Sequence, residues 1–290
     1  MLKRAIPFVA VISCCVSVFA DYVEDRKAAI KLVGAGKYEE AMAAFTTMAG
    51  GDVTEFQKSD ALEQAALCAH RLKRYDQAME LGKQIPLAPV SKTCQMKIMV
   101  ENRKWKEAVL KFKDEDIASW PDTVIGSASY HRGRAYYFLK DGENAAKDMA
   151  RAADYLVEDN VKGLALNTLG DTYQHLLKDD EKAIAAYRRC YSTRNIYKQC
   201  HAAMAIANIF TRQKKFDEAI QELDRLGLAN VKIPYWRALM LVAYGEVLAA
   251  QGNKAGAIAK YQEALQLEGA PAYIKGACQK ALKKLQAVEK

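Results

Sequence analysis

The sequence predicts an all-α fold, an α-solenoid of about seven antiparallel helix pairs closed by a C-terminal capping helix. Three observations carry the prediction. First, an aromatic residue stands three positions before an alanine at Tyr38/Ala41, Tyr75/Ala78, Trp105/Ala108 and Phe216/Ala219, with weaker copies ending at Ala145, Ala183 and Ala257. These alanines recur with one period throughout, in the range expected of helix-pair repeats, and only the step from Ala78 to Ala108 is short. Second, a bulky residue follows four positions later at Phe45, Phe112, Met149, Tyr187, Leu223 and Tyr261; only Ala78 is followed by a small one, Gly82. Third, a small residue stands twelve positions before the alanine at Ala29, Ala66, Gly133, Ala207 and Gly245, with Met96 as the misfit. Gly170 stands thirteen before Ala183, which implies one inserted residue in the Lys178-Asp179-Asp180-Glu181 turn.

Each unit reads as two helices because apolar residues fall at i, i+3, i+4 and i+7 in both halves. A small residue on the first helix lets the second approach closely, and the bulky residue fills the gap to the next unit. The units run over about 22–55, 57–88, 89–118, 122–158, 162–194, 196–230 and 234–268, with the cap at 271–290. Turns carry Gly or charged pairs: Gly34 and Gly36, Asp141-Gly142, Gln251-Gly252-Asn253. Pro89, Pro121, Pro234 and Pro271 stand where a helix should begin, at positions whose missing N–H costs nothing. One unit cannot bury its own apolar face, but stacked neighbours can, so residues 21–290 are expected to form a single domain with no sheet. The short step to Ala108 and the small Gly82 mark the second and third units as the most weakly packed. Composition agrees: 51% hydrophobic residues, 27% charged residues and 6 prolines in 290 exclude a disordered or collagen-like chain.

Residues Met1 to Ala20 read as an export signal. Lys3 and Arg4 precede an uncharged stretch from Ala5 to Ala20, and Val18-Phe19-Ala20 offers small residues at a cleavage site before Asp21. The stretch is shorter than the roughly 20 residues needed to span hydrocarbon. The chain is therefore expected to be exported, periplasmic or secreted. An alternative stays open: Val11-Ile12-Ser13-Cys14 is similar to a bacterial lipobox, and a lipidated Cys14 would tether the chain to a membrane. Without Lys3 and Arg4 the formal charge falls from +8 to +6, and without Cys14 and Cys15 five cysteines remain, an odd number. Cys190 and Cys200 flank one predicted turn and could pair in an oxidising compartment; buried thiols on helices are the simpler reading.

No catalytic constellation is present. His70, His131, His175 and His201 form no i, i+4 metal pair, and no phosphate-binding or nucleophile-elbow motif occurs. Glu39-Glu40 and Asp217-Glu218 begin second helices, where the helix dipole favours acid. No metal, cofactor or enzymatic activity is expected. A charge of +6 spread over the chain after Ala20 is modest, and only Lys280, Lys283 and Lys284 cluster, so nucleic acid is not the expected partner.

Leu169-Gly170-x-x-Tyr173, Tyr244-Gly245-x-x-Leu248, Ala183-x-x-x-Tyr187 and Ala257-x-x-x-Tyr261-x-x-Ala264 resemble the tetratricopeptide repeat signature, and the resemblance covers about residues 22–288. It implies a right-handed superhelix whose first helices line a concave groove for a protein or peptide partner. The family's groove positions lie three before and one, four and five after the small first-helix residue. They fall on Tyr130, Arg134, Tyr137 and Phe138 from Gly133, on Asn167, Asp171, Gln174 and His175 from Gly170, and on Met204, Asn208, Thr211 and Arg212 from Ala207. The family's clamp for acidic peptide termini is incomplete, because Met204 stands where a lysine is required. The resemblance implies a non-enzymatic scaffold of the cell envelope. A lipid-anchored outer-membrane or secretion assembly factor is the alternative, and a carbohydrate-active helical enzyme the remote one. The oligomeric state is not readable from the sequence.

Overall fold

The computed structural model describes residues 8–287, with side chains described from residue 21 onward. The expected export signal and Cys14 lie outside the described side chains. Fifteen α-helices and no strand occur among the described residues, grouped in two compact units, residues 1–135 and 136–290.

The first unit holds α1 (Phe8–Gly34), α2 (Tyr38–Gly50), α3 (Glu55–Arg71), α4 (Tyr75–Gln84), α5 (Ala88–Glu101), α6 (Trp105–Phe112) and most of α7 (Asp122–Phe138). The second holds α8 (Gly142–Tyr155), α9 (Asp159–Asp171), α10 (Asp180–Arg189), α11 (Ile196–Arg212), α12 (Phe216–Asp224), α13 (Pro234–Gln251), α14 (Lys254–Gln266) and α15 (Ala272–Ala287). Short turns join α1 to α2, α3 to α4, and so on to α13 and α14: seven helix pairs, with α15 after them. Within each unit a first helix also packs on the next first helix, as α3 does on α5 and α11 on α13. That stacking is the solenoid arrangement.

The three repeating positions form the packing. Ala41, Ala78, Ala108, Ala145, Ala183, Ala219 and Ala257 are each 0 or 1% exposed, and the six bulky residues that follow them are all buried. Close approach explains the glycines. A Cβ on Gly170 would stand 2.3 Å from Cε1 of Tyr187, and one on Gly245 would stand 2.7 Å from Cε1 of Tyr261. Each ring therefore occupies the volume that a side chain would need. At Gly82 the missing bulk is compensated locally. Cys94 and Gln95 of α5 lie 3.5 Å from where its Cβ would be, and Ser91 Oγ donates to the Gly82 carbonyl at 2.7 Å.

Helix starts follow the sequence signals. Pro89 and Pro234 occupy first-turn positions of α5 and α13, and Pro121 and Pro271 immediately precede α7 and α15. Asp141, Asp179 and Asn253 cap α8, α10 and α14 through their side chains.

One expectation needs correction. The inserted residue before Ala183 is not in the turn. Arg74 N donates to Ala69 O, Asp141 N to Tyr136 O and Lys215 N to Phe210 O, each spanning five positions, whereas Asp179 N reaches six back to Tyr173 O. The extra residue is absorbed in a π-helical turn, Thr172–Leu177, at the end of α9. Of the two readings of Cys190 and Cys200, the structure has the simpler one, free and buried thiols. Cys190 Sγ points to the Gly163 carbonyl at 3.9 Å, while Cys200 packs in an apolar cluster with Ala203 and Met240. Burial pushes each thiol up to about 11.

Candidate partner-binding groove

The site is built in the second unit by α9 with its π-turn, α11 and α13. Each is fixed at its start: Glu158 caps α9, Asn195 caps α11, and Pro234 opens α13. Each buries one face, exemplified by Leu166 and Leu169, Ile206 and Ile209, and Leu241 and Tyr244. The opposite faces line a cleft of 480 Å³. On α11 its lining is His201, Met204, Ala205 and Asn208; on α13 it is Leu239, Val242, Ala243 and Glu246. Both sets step i, i+3, i+4, i+7, and each member of the second stands one repeat after its counterpart. One helical stripe is thus repeated on adjacent helices. Asp171, Gln174 and His175 complete the wall. A second cleft of 340 Å³ shares Gln174, His175 and Asn208 and adds Lys178, Asp180 and Arg212.

The wall is held from behind. The Tyr187 hydroxyl lies 2.6 Å from Asp171 Oδ1 and 3.0 Å from Gln174 Oε1, positioned to donate to either acceptor. Burial and the Asp171 charge raise the Tyr187 phenol far above its ordinary range, so it stays a donor. The residue that fills the inter-repeat gap therefore also orients two groove side chains. Arg212 Nη2 pairs with Asp180 Oδ1 at 3.0 Å. Glu246 is open to solvent at the mouth of the cleft, yet the surrounding walls displace much of the water beyond it, and that desolvation raises its carboxyl above the usual range.

The structure brings together Asp171, Gln174, His175, Met204, Asn208 and Arg212, six of the residues expected from the groove spacing. Asn167 is elsewhere: it is buried, and its Nδ2 donates to the Lys198 carbonyl at 3.1 Å, tying α9 to α11. Tyr130 and Arg134 belong to the first unit. There Tyr130 is buried against His131, with ring centroids 5.3 Å apart, and Arg134 lies over its ring at 5.5 Å. Tyr137, in the second unit, is half-buried beside Phe138; burial and the Asp171 charge raise its phenol. Val242 and Glu246 were missed, although the same spacing counted from Gly245 yields both. His201 and Leu239 lie one turn further toward the helix start.

A family model for the tetratricopeptide repeat matches residues 164–196, the span from α9 through α10 into α11. Six further helix pairs surround that match. The matched residues carry a tetratricopeptide repeat. Among solved structures, a tetratricopeptide repeat protein from Parabacteroides merdae ATCC 43184 is 14% identical, covering 91% of this chain and 98% of that one at a TM-score of 0.48. The TPR domain of P58(IPK) is 13% identical, covering 93% and 99%, at a TM-score of 0.25. Neither likeness bears on function. No match was found among curated proteins. The described residues include no helix long and apolar enough to cross a membrane. They include no group of three or more His, Cys, Asp or Glu placed to hold a metal.

Proposed function

We propose that this protein is a non-enzymatic scaffold that captures a peptide segment of a protein partner in the groove of its second unit. The repeated stripe His201/Met204/Ala205/Asn208 and Leu239/Val242/Ala243/Glu246 carries the reading, because it lines an open 480 Å³ cleft with mixed apolar and polar side chains. Preformed sites of this size and lining suit ligand capture, and an open face of three packed helices suits an extended segment. Asn208, exposed and shared by both clefts, gives the test. Asn208→Trp fills their junction without touching the core. A partner retained from an envelope extract of the host is lost on this change, while helicity and the unfolding midpoint are unchanged. Equal retention by both proteins, or no saturable partner, would overturn the groove.

The working location proposed is the cell envelope, supported by the charged start, uncharged stretch and small residues of Met1 to Ala20. The sequence Val11-Ile12-Ser13-Cys14 favours one second reading, a lipid-anchored assembly factor. The mass of the mature amino terminus separates them: Asp21 for the first, acylated Cys14 for the second, and a retained Met1 for neither.

A further inference from the structure

The chain carries 43 Lys and Arg against 35 Asp and Glu, yet no Lys or Arg lines the 480 Å³ cleft. Its charged lining is two carboxylates, Asp171 and Glu246, beside the imidazoles of His175 and His201. Asp171 accepts the Tyr187 hydroxyl through one oxygen and keeps acceptor capacity on the other. Glu246 makes no hydrogen bond or ion pair among the described residues. Three acids packed among side chains do, Asp60 holding Arg26 at 2.6 Å, Asp148 Arg151 at 3.0 Å and Glu222 Arg188 at 2.6 Å, whereas Glu63, outside the cleft, is desolvated like Glu246. A partly desolvated carboxylate without a countercharge is unfavourable, and in the open cleft a ligand cation can supply that charge. Apolar neighbours Met204, Leu239 and Val242 can cover the aliphatic stem of such a cation.

The charge changes sign along the groove. In the 340 Å³ cleft Asp180 is taken up by Arg212. That leaves Lys178 without a partner among the described residues, at a fixed backbone position with φ 58°. Lys178 follows the π-turn that ends α9, and Glu246 lies on α13, two first helices on. Packed helices are separated by about 8–10 Å and a strand rises about 3.3 Å per residue, so extended chain covers the distance in about six residues.

Resting on the groove reading above, we infer that the partner segment carries a Lys or Arg side chain that enters the cleft between Glu246 and Asp171. An apolar residue beside it lies on Met204 and Val242, and an acidic residue about six positions away faces Lys178.

The test is selection of a phage-displayed random dodecapeptide library on the full chain. Selected peptides are then synthesised and their affinities measured by fluorescence anisotropy. Enriched peptides are expected to share one basic position. Changing it to Gln is expected to weaken binding about tenfold, Glu246→Gln to do the same, and the two together to do little more. Lys178→Gln removes only the preference for the distant acid. Enriched peptides with no common basic residue, or equal affinity for Glu246→Gln, overturn the inference and leave the groove standing. No enrichment, or equal enrichment on Asn208→Trp, overturns the groove itself. Circular dichroism of each variant establishes that it is folded.

Discussion

The two units use one helix pair yet treat their first-helix faces differently. In the first unit the face of α3 and α5 closes on itself. His70 lies 3.4 Å from Glu101 and 3.1 Å from Asn102, and the cleft on that face is 120 Å³; the unit's larger cleft, 720 Å³, lies at the turns, lined by Tyr75, Glu101 and Arg103 among others. In the second unit α11 packs on α13 as well, yet Asp171, Asn208 and Glu246 line open space. The position one after the small residue shows the difference. It is Leu67 on α3 and Lys97 on α5, but Asp171, Asn208 and Glu246 on α9, α11 and α13. A repeat backbone fixes where a side chain stands, and its neighbour one repeat on decides whether it is spent on the fold or left for a partner.

The largest expected effect that separates the units is at the inter-repeat aromatics. Tyr187→Ala and Phe112→Ala each empty a fully buried site and should each cost about 3–5 kcal/mol in urea unfolding. Only Tyr187→Ala also releases Asp171 and Gln174, so it should weaken groove binding by the folded fraction. Phe112→Ala should not. Equal binding losses would break the comparison.

Next in size is Gly170→Ala. The added methyl overlaps the Tyr187 ring and should cost about 2 kcal/mol, within the usual range for overpacking. Gly276→Ala, on α15 with nothing within 4 Å of its Cβ, should instead stabilise by about 0.5–1 kcal/mol through helix propensity. Thermal unfolding of the pair should shift in opposite directions; a shared sign would remove the close-packing account of Gly170.

The fold was legible because its signal is repeated. Seven registered alanines and their bulky partners specify each helix contact, and a degenerate match at Met96 or Gly82 is outvoted. The groove was legible as a face, not as a set of available side chains. The spacing rule reached Asp171, Met204 and Asn208, whose neighbours leave them open. It failed at Asn167, because the Lys198 carbonyl on the next first helix takes its amide. It failed at Tyr130, which turns into the packing beside His131. The inserted residue near Gly170 was visible, but counting alone could not place it in a π-turn. Such turns recur at functional sites, and this one sets the direction of Gln174 and His175.

Lys178 connects strain to the groove. Its φ of 58° lies in the left-handed region, so Lys178→Gly should stabilise the chain by about 1 kcal/mol. The same change removes the charge expected to choose an acid in the partner. A stability gain together with lost acid preference in selected peptides would sharpen the contrast between fold and site. A gain with the preference intact would transfer that role away from Lys178.

Glu246→Gln should have the smallest effect on stability, and its value is in the pH dependence. Desolvation by the cleft walls raises the Glu246 carboxyl in the folded chain. At pH below the unfolded carboxyl range, both states hold the proton and the variant should match the parent. As pH rises above that range, the unfolded state loses its proton first, so the parent loses stability until the raised folded value is passed. The melting temperature of Glu246→Gln should therefore exceed that of the parent by an amount that grows upward from about pH 4.5 and then levels off. Asp171, His175 and His201 share the cleft, and Tyr261 and Cys278 also feel the Glu246 charge. All five are present in both proteins, so to first order their titration cancels in the difference. Parallel curves from about pH 4 to about pH 8 would mean that water already satisfies Glu246 and that the cleft offers no unmet charge.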